Sequence, residues 1–241
     1  NLSSWNISED QEGYLWFGTQ SGLSRFEKKT GTFTNFWHDP DNPDTLSDND
    51  IFSVFEDSRG FVWMGTKHHG ANRYDKKTGK FTRYQHDPTD PDSIPANDIQ
   101  SIIEDRLGFL WFGTRDQGLI RFEPDRGIFT HFSHDPNDPA SLPEMSIWDL
   151  SVKEDGRIII IPSTSAVGLI LFDPVTGTYE QYMSDPGSPF SLTTNTIQDA
   201  FEDSRGILWV VHNNGKVDKF DPQAHRFNLY RNNPANSRSL A

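Results

Sequence analysis

The sequence predicts an all-β fold, a β-propeller of about five four-stranded blades. Three observations carry the prediction. A unit of roughly 48 residues recurs five times along the 241 residues, at spacings of 47 to 50. Each unit divides into four short β-type runs separated by turn residues. Large aromatics return at matching positions in successive units, with seven Trp and eighteen Phe in the whole chain. Four strands per unit of 40 to 50 residues is the pattern of a propeller blade, and a single blade cannot bury both of its faces, so neighbours must stack.

The repeat is fixed by a few markers. Asp-x-x-Gly occurs at Asp10/Gly13, Asp57/Gly60, Asp105/Gly108 and Asp203/Gly206, and Trp16, Trp63, Trp111 and Trp209 follow the Gly by three residues. In the fourth unit Gly156 keeps the phase and Ile159 replaces the Trp. Asp-Pro returns at Asp39-Pro40, Asp87-Pro88, Asp135-Pro136 and Asp185-Pro186, with Asn233-Pro234 in the fifth slot. The blades therefore run approximately 1–48, 49–96, 97–144, 145–194 and 195–241, expected as one domain over 1–241. A five-bladed ring is the expected closure. Ends in the same phase of the repeat leave the first and last blades to meet through side chains alone.

The second unit shows the elements in order. Ile51–Glu56 is a β-branched and aromatic strand, and Arg59-Gly60 is a turn. Phe61–Thr66 is the second strand and Ala71–Asp75 the third. Lys76–Gly79 is a turn whose Gly suits positive φ. Lys80–Gln85 alternates apolar and polar residues as a half-exposed edge strand does. A connector rich in Pro, Asp and Asn leads onward. No 3.6-residue period survives the Gly and Pro spacing, which excludes helical solenoids.

Composition narrows function. A net charge of −13 argues against nucleic acid and anionic membrane surfaces as partners, since both demand Lys and Arg. The absence of Cys removes thiol nucleophiles, disulfides and thiolate metal sites. No run approaches the ~18 apolar residues needed to cross a bilayer. The first residues lack the pattern of a secretory leader, as a mature or excised piece of a larger protein would.

The copies differ from one another at one place above all. The loop between second and third strands reads Gln20-Ser21, Lys67-His68-His69, Arg115-Asp116-Gln117, Ser163 to Val167, and Asn213-Asn214; His212 and Pro162 stand in the preceding Thr slot. Loops carry recognition while the scaffold carries stability. In a propeller these loops and the links between blades open on one face. The candidate ligand-binding residues are accordingly Gln20, Lys67, His68, His69, Arg115, Asp116, Gln117, Ser163, Thr164, His212, Asn213 and Asn214. A small polar column on the innermost strand, Asn6, Ser53, Ser101, Asp149 and Asp199, adds Asp149 and Asp199, which could hold a cation or a sugar hydroxyl together. The competing reading of that column is bonding to channel water or neighbouring backbone.

Other repeated groups read as structural. His38, His86 and His134 precede Asp-Pro on outer strands, far apart, and suit turn capping better than zinc. The acidic, Pro-rich stretches Asp39–Asp44 and Asp87–Asp92 lack the spacing of a calcium loop. Arg25, Arg73 and Arg121 with Lys219 are expected in ion pairs between strands, beside Glu56 and Glu104. No phosphate-binding Gly loop, nucleophile elbow or His-Glu-x-x-His occurs, so no catalytic residue, metal or cofactor is assigned.

The stretch from Asn49 through Ile94, with its Glu-Asp-x-x-Gly-x-Val-Trp-x-Gly-Thr core at Glu56–Thr66 and a matching one at Glu104–Thr114, resembles the two-component regulator propeller repeat. All five units share the pattern; Lys153–Ser163 departs from it, lacking both Trp and Gly-Thr. The resemblance implies the periplasmic or otherwise extracytoplasmic sensor region of a hybrid histidine kinase. It implies a small-molecule or oligosaccharide ligand, in such families often a breakdown product of carbohydrate, with attached signalling domains or a homodimer as partners. Non-enzymatic sensing is the first expectation. A protein-interaction scaffold is the alternative, and a propeller lyase using His on the axial face is the third.

Overall fold

A computed structural model describes residues 4–221 and 226–230. Asn233-Pro234 lies outside them. Five four-stranded antiparallel sheets occupy 4–36, 51–84, 99–132, 147–182, and 197–221 with 226–230, each in simple sequential strand order. No helix occurs among the described residues. In the second sheet the strands are Ile51–Glu56, Phe61–Thr66, Ala71–Asp75 and Lys80–Tyr84, one residue shorter at the outer edge than the sequence suggests. The chain forms two compact units that divide after Ser133; the first holds blades one to three and the second holds blades four and five.

The Asp-x-x-Gly-x-x-Trp motif has one physical explanation. Asp57 closes its turn by accepting the Arg59 and Phe61 amides on Oδ1 (3.0 and 2.9 Å), and its Oδ2 accepts the Trp63 indole N–H (2.8 Å). Asp10 with Trp16 and Asp105 with Trp111 repeat this at 2.9 and 2.8 Å, and Asp203 with Trp209 at 3.1 Å. A buried indole demands an acceptor, and the turn supplies it. Gly60 takes φ of 83°, which only Gly adopts without strain.

Within the first unit the buried Trp rings do the stacking. Trp16 packs on Phe36 and Tyr74, joining blade one to blade two. Trp63 meets Phe112 and Phe122 edge-on at 5.9 and 5.8 Å, joining blade two to blade three. In the second unit, Ile159 takes the Trp place and packs with Ile161, Leu171, Ala200, Val210 and Phe220. Glutamates staple neighbours together as well: Glu56 accepts the Gln11 amide (2.6 Å), and Glu104 the Ser58 amide and hydroxyl (2.6 and 2.8 Å).

Two expectations need revision. The Arg column stacks on rings: Arg25 lies 4.7 Å from the Tyr14 ring centre, Arg73 4.6 Å from Phe61 and Arg121 5.0 Å from Phe109. The partner of Glu56 is Lys76, and Arg121 pairs at 3.0 Å with Glu123 of its own strand. A flat guanidinium beside an aromatic strand can lie on the ring face, and Glu56 is already held by Lys76. The innermost strands are also bulged, with register shifts at Ser4/Asn6, Ile51/Ser53, Ile99/Ser101, Ile147/Asp149 and Ile197/Asp199. Such bulges re-aim side chains, so simple alternation does not place the polar column.

Candidate functional site

The variable loop is built by its flanks. Thr66 donates its hydroxyl to the Gly70 carbonyl (2.8 Å) and accepts the His69 amide (3.1 Å), closing the loop. Gly70 has φ of 73°, and a Cβ there would lie 2.0 Å from the Tyr84 carbonyl oxygen. Thr114 with Gly118 repeats the arrangement at 2.8 Å. The loop is then tied to the connectors. Lys67 N–H donates to the Asp50 carbonyl (3.1 Å), Arg115 N–H to Asp98 (3.2 Å) and Gly70 N–H to Asn97 of the following blade (2.8 Å). Tips and links thus share one end of the unit, as the repeat pattern predicts.

Between the second and third blades these pieces border an open cavity of about 490 Å³. Lys67 and His68 line it from one tip, Asp116 and Gln117 from the next, Pro95 to Asp98 from the connector, and His86 and His131 from outer strands or their ends. Four predicted residues therefore meet. Gln20 and Arg115 are exposed but do not line this cavity. His69 turns aside: its Nδ1 lies 3.0 Å from Asp48 Oδ2. Burial pushes the Asp48 carboxyl up, but the His69 contact and the amides of Asp50 and Asn49 outweigh it and hold it below the usual range. Asp98 goes the other way. Its burial raises it, and the opposing pull of the Gln100 amide and the charges of Arg115 and His68 does not compensate.

The remaining candidates lie in the second unit. Ser163 N–H donates to Ser146 (2.9 Å) and Asn213 N–H to Thr196 (3.3 Å), so these tips are also held to the residues before their inner strands. Thr164 donates to Glu144 (2.8 Å). Asn213 and Asn214 are exposed. Asp149 is half-buried and accepts the Leu150 amide (2.8 Å), Asp199 is exposed, and Asn6 accepts the Val54 amide of the next blade (3.2 Å). Backbone bonding thus accounts for part of the polar column.

His212 is a correction. It is 1% exposed and its Nε2 lies 2.9 Å from Asp218 Oδ2, inside the blade. Asp218 also accepts the Thr193 amide and hydroxyl, each at 2.6 Å. The Thr193 hydroxyl donates to the carboxylate rather than to the imidazole, so no base is positioned on it. The group ties a connector to its blade. A β-branched Thr slot hides a ring as readily as a hydroxyl, which the sequence column does not distinguish.

His38, His86 and His134 brace the connectors, with Nδ1 at 2.6, 3.1 and 2.7 Å from the carbonyls of Leu46, Ile94 and Leu142. The connector carboxylates are engaged by their own chain, Asp39 by the Asp41 amide and Asp87 by Thr89. His86, His131 and the stretch Pro95 to Asp98 were not singled out as ligand residues from sequence. One signal existed: the outer-strand column Asn35, Arg83, His131, Gln181 varies as freely as the tips. Two of its side chains reach toward the loop, His131 to the Gln117 carbonyl and Gln181 to Val167 (2.9 Å).

Stacked four-stranded blades with rewritten tips define a propeller repeat protein with a polar loop-face cavity. The family model described as two component regulator propeller matches residues 1–21, 45–68 and 93–116. At these three stretches the chain carries that family's repeat. Among solved structures it is similar to the extracellular domain of BT3049 from B. thetaiotaomicron, described as a hybrid two component system, at 25% identity and TM-score 0.78, covering 93% of this chain and 29% of that one. The extracellular domain of BT4673 from the same organism, described as a one component system, matches at 22% identity and TM-score 0.77, covering 96% and 31%. PorZ of Porphyromonas gingivalis, a surface component of a type-IX secretion system, matches at 16% and 0.67, covering 89% and 31%. The chain thus spans about three tenths of the length of these solved chains. No curated protein matches it.

Proposed function

We propose that this chain is a non-enzymatic ligand-binding portion of an extracytoplasmic sensor of the two-component type, and that the cavity between its second and third blades holds the ligand. One observation carries the reading: the residues that line this cavity from the two tips are the ones rewritten between otherwise copied units. A volume of about 490 Å³ falls in the ~300–1,000 Å³ range of small-molecule sites. The lining is polar, with ammonium, imidazole, carboxylate and amide groups, which suits an oligosaccharide or another hydrogen-bonding small molecule. The extracellular domains of similar fold support the location. Binding would bias a conformational or association equilibrium in attached signalling regions, by as much as the ligand discriminates between the two states.

Calorimetric titration of the chain with a panel of oligosaccharides and small organic acids tests this. At least one member should bind, and Gln117→Ala with Lys67→Ala should abolish the heat while the far-UV spectrum and melting temperature hold. Silence across the panel, together with retention of a protein on the immobilised chain, would support a scaffold instead.

A further inference from the structure

We propose that copies of this chain join head to tail, the trailing face of blade five in one copy stacking on the leading face of blade one in the next. A leading face is the one turned toward the preceding blade, and a trailing face the one turned toward the following blade. The pairing does not depend on the cavity. On blade three the leading face carries Ile102, Phe112, Phe122 and Phe129, and blade two covers it with Phe55, Trp63 and Tyr84. The strand registers put Ile7, Phe17, Phe26 and Phe33 of blade one at the same four places, with the same residue types. Ile102, Phe112 and Phe122 are buried, whereas Ile7 and Phe33 are 58% and 59% exposed. Phe17 and Phe26 are half-buried. Phe33 lies 4.7 Å from the Phe26 ring and 6.1 Å from that of Phe17, so the rings form one patch. A contiguous exposed apolar patch of this kind marks an interaction surface.

Blade five supplies the matching half. Phe201 and Trp209 hold the register places of Phe55 and Trp63. Phe201 is 53% exposed and Trp209 half-buried, where Trp63 is buried. Hydrogen bonding completes the match. Glu56 and Glu104 each use Oε2 to accept an amide from the turn of the blade before, that of Gln11 and that of Ser58. Glu9 is the same residue in blade one. It is exposed, and Lys28 holds its Oε1 at 2.7 Å, as Lys76 holds Oε1 of Glu56, so its Oε2 is set to take an amide in the same way. The donor turn recurs as well. Asp203-Ser204-Arg205-Gly206 repeats Asp57-Ser58-Arg59-Gly60 residue for residue, and the Ser204 amide and hydroxyl meet no acceptor among the described residues. Blade five thus offers blade one the aromatic pair and the turn that blade two gives blade three. Ile7, Phe33 and Phe201 are all exposed in the single chain, so the cover comes from another copy. The two faces differ, which makes the contact heterologous: it repeats until a ring closes or a filament grows.

Analytical ultracentrifugation of the chain between about 1 and about 100 µM tests this. The apparent mass should at least double across the range, and Glu9→Ala should weaken association about tenfold. Phe33→Glu spoils the leading face and Phe201→Glu the trailing one. Both side chains are exposed, so the far-UV circular dichroism of each variant should match that of the parent. Each variant alone should be monomeric. Mixed in equal amounts they should form a one-to-one dimer and stop there, since the mixture holds one intact leading face for each intact trailing face. Association lost in Phe33→Glu but kept in Phe201→Glu would mean that leading faces meet each other, and would overturn the head-to-tail pairing. Association untouched by either variant would place the contact elsewhere and overturn it too. So would a monomer at every concentration. If both variants then lowered its melting temperature, the two faces would meet within one chain; if neither did, the face of blade one would belong to a sheet of another protein.

Discussion

Blades two and four make the same turn with different chemistry. In blade two Asp57 holds two turn amides and the indole of Trp63. In blade four Lys153 stands in the Asp position and Ile159 in the Trp position. The turn still closes, since Gly156 N–H donates to the Lys153 carbonyl (3.0 Å) and Lys153 N–H to Arg157 (2.8 Å). The two changes belong together. Without an indole N–H to satisfy, the carboxylate loses one of its tasks. A Lys can then occupy the slot and reach Glu202 of the next blade, with side chains 7% and 9% exposed. The backbone turn thus belongs to the fold, whereas the Asp–Trp pair is one of two ways to fasten a blade to its follower.

The largest effect should come from removing the ring. Trp63→Ala deletes a side chain 1% exposed and should cost about 4 kcal/mol in urea unfolding. A loss no greater than that of Ile159→Ala would show the two fastenings to be equivalent. Breaking the other fastening comes next. Lys153→Ala removes the cation from a mostly buried Glu202, which keeps only the Glu154 amide, and should cost about 3 kcal/mol, most of it recovered in Lys153→Met with Glu202→Gln. No recovery in the double variant would mean that the pair contributes more than its desolvation takes back. Ile159→Trp alone should destabilise by about 2 kcal/mol, because the ring overfills the site and its N–H has no carboxylate beside it. Improved stability there would separate the two substitutions that we treat as coupled.

The smallest expected effect concerns acid. Burial pushes the Asp10 carboxyl up, but the Trp16 and Tyr14 N–H groups and Lys76 outweigh it and hold it below its usual 3.8. A carboxyl depressed in the folded state adds stability above its unfolded value and loses it as pH falls toward the folded one. Asp10→Asn should therefore cost about 1 kcal/mol near neutrality and make the decline in melting temperature below pH 3.8 shallower. An unchanged acid limb would remove Asp10 from the account.

Much of the fold was legible because the chain repeats itself. Ile51–Glu56, Phe61–Thr66 and Ala71–Asp75 stand where the apolar runs and Gly turns put them. Comparison between copies also picked out Lys67, His68, Asp116 and Gln117, since a residue that packs is copied and one that faces outward is free to differ. Three things were not legible. A bulge adds one residue without changing composition, so the inner-strand column could not be aimed from alternation. Arg73 beside Glu56 reads as an ion pair in one dimension, while the ring of Phe61 lies closer in three. His86 looks structural in sequence because it recurs with the connector, and although the links were expected on the same face as the tips, nothing in the repeat said which connector residues would line a cavity with them.

The glutamate staples carry one more consequence. Because Glu56 caps a turn belonging to blade one and Glu104 a turn belonging to blade two, the sheet is not the smallest transferable piece of this chain. A blade cut out at its own connectors leaves behind the acid that finishes it. Anyone shuffling such units between proteins would keep turns intact by carrying over the opening strand of whatever came next.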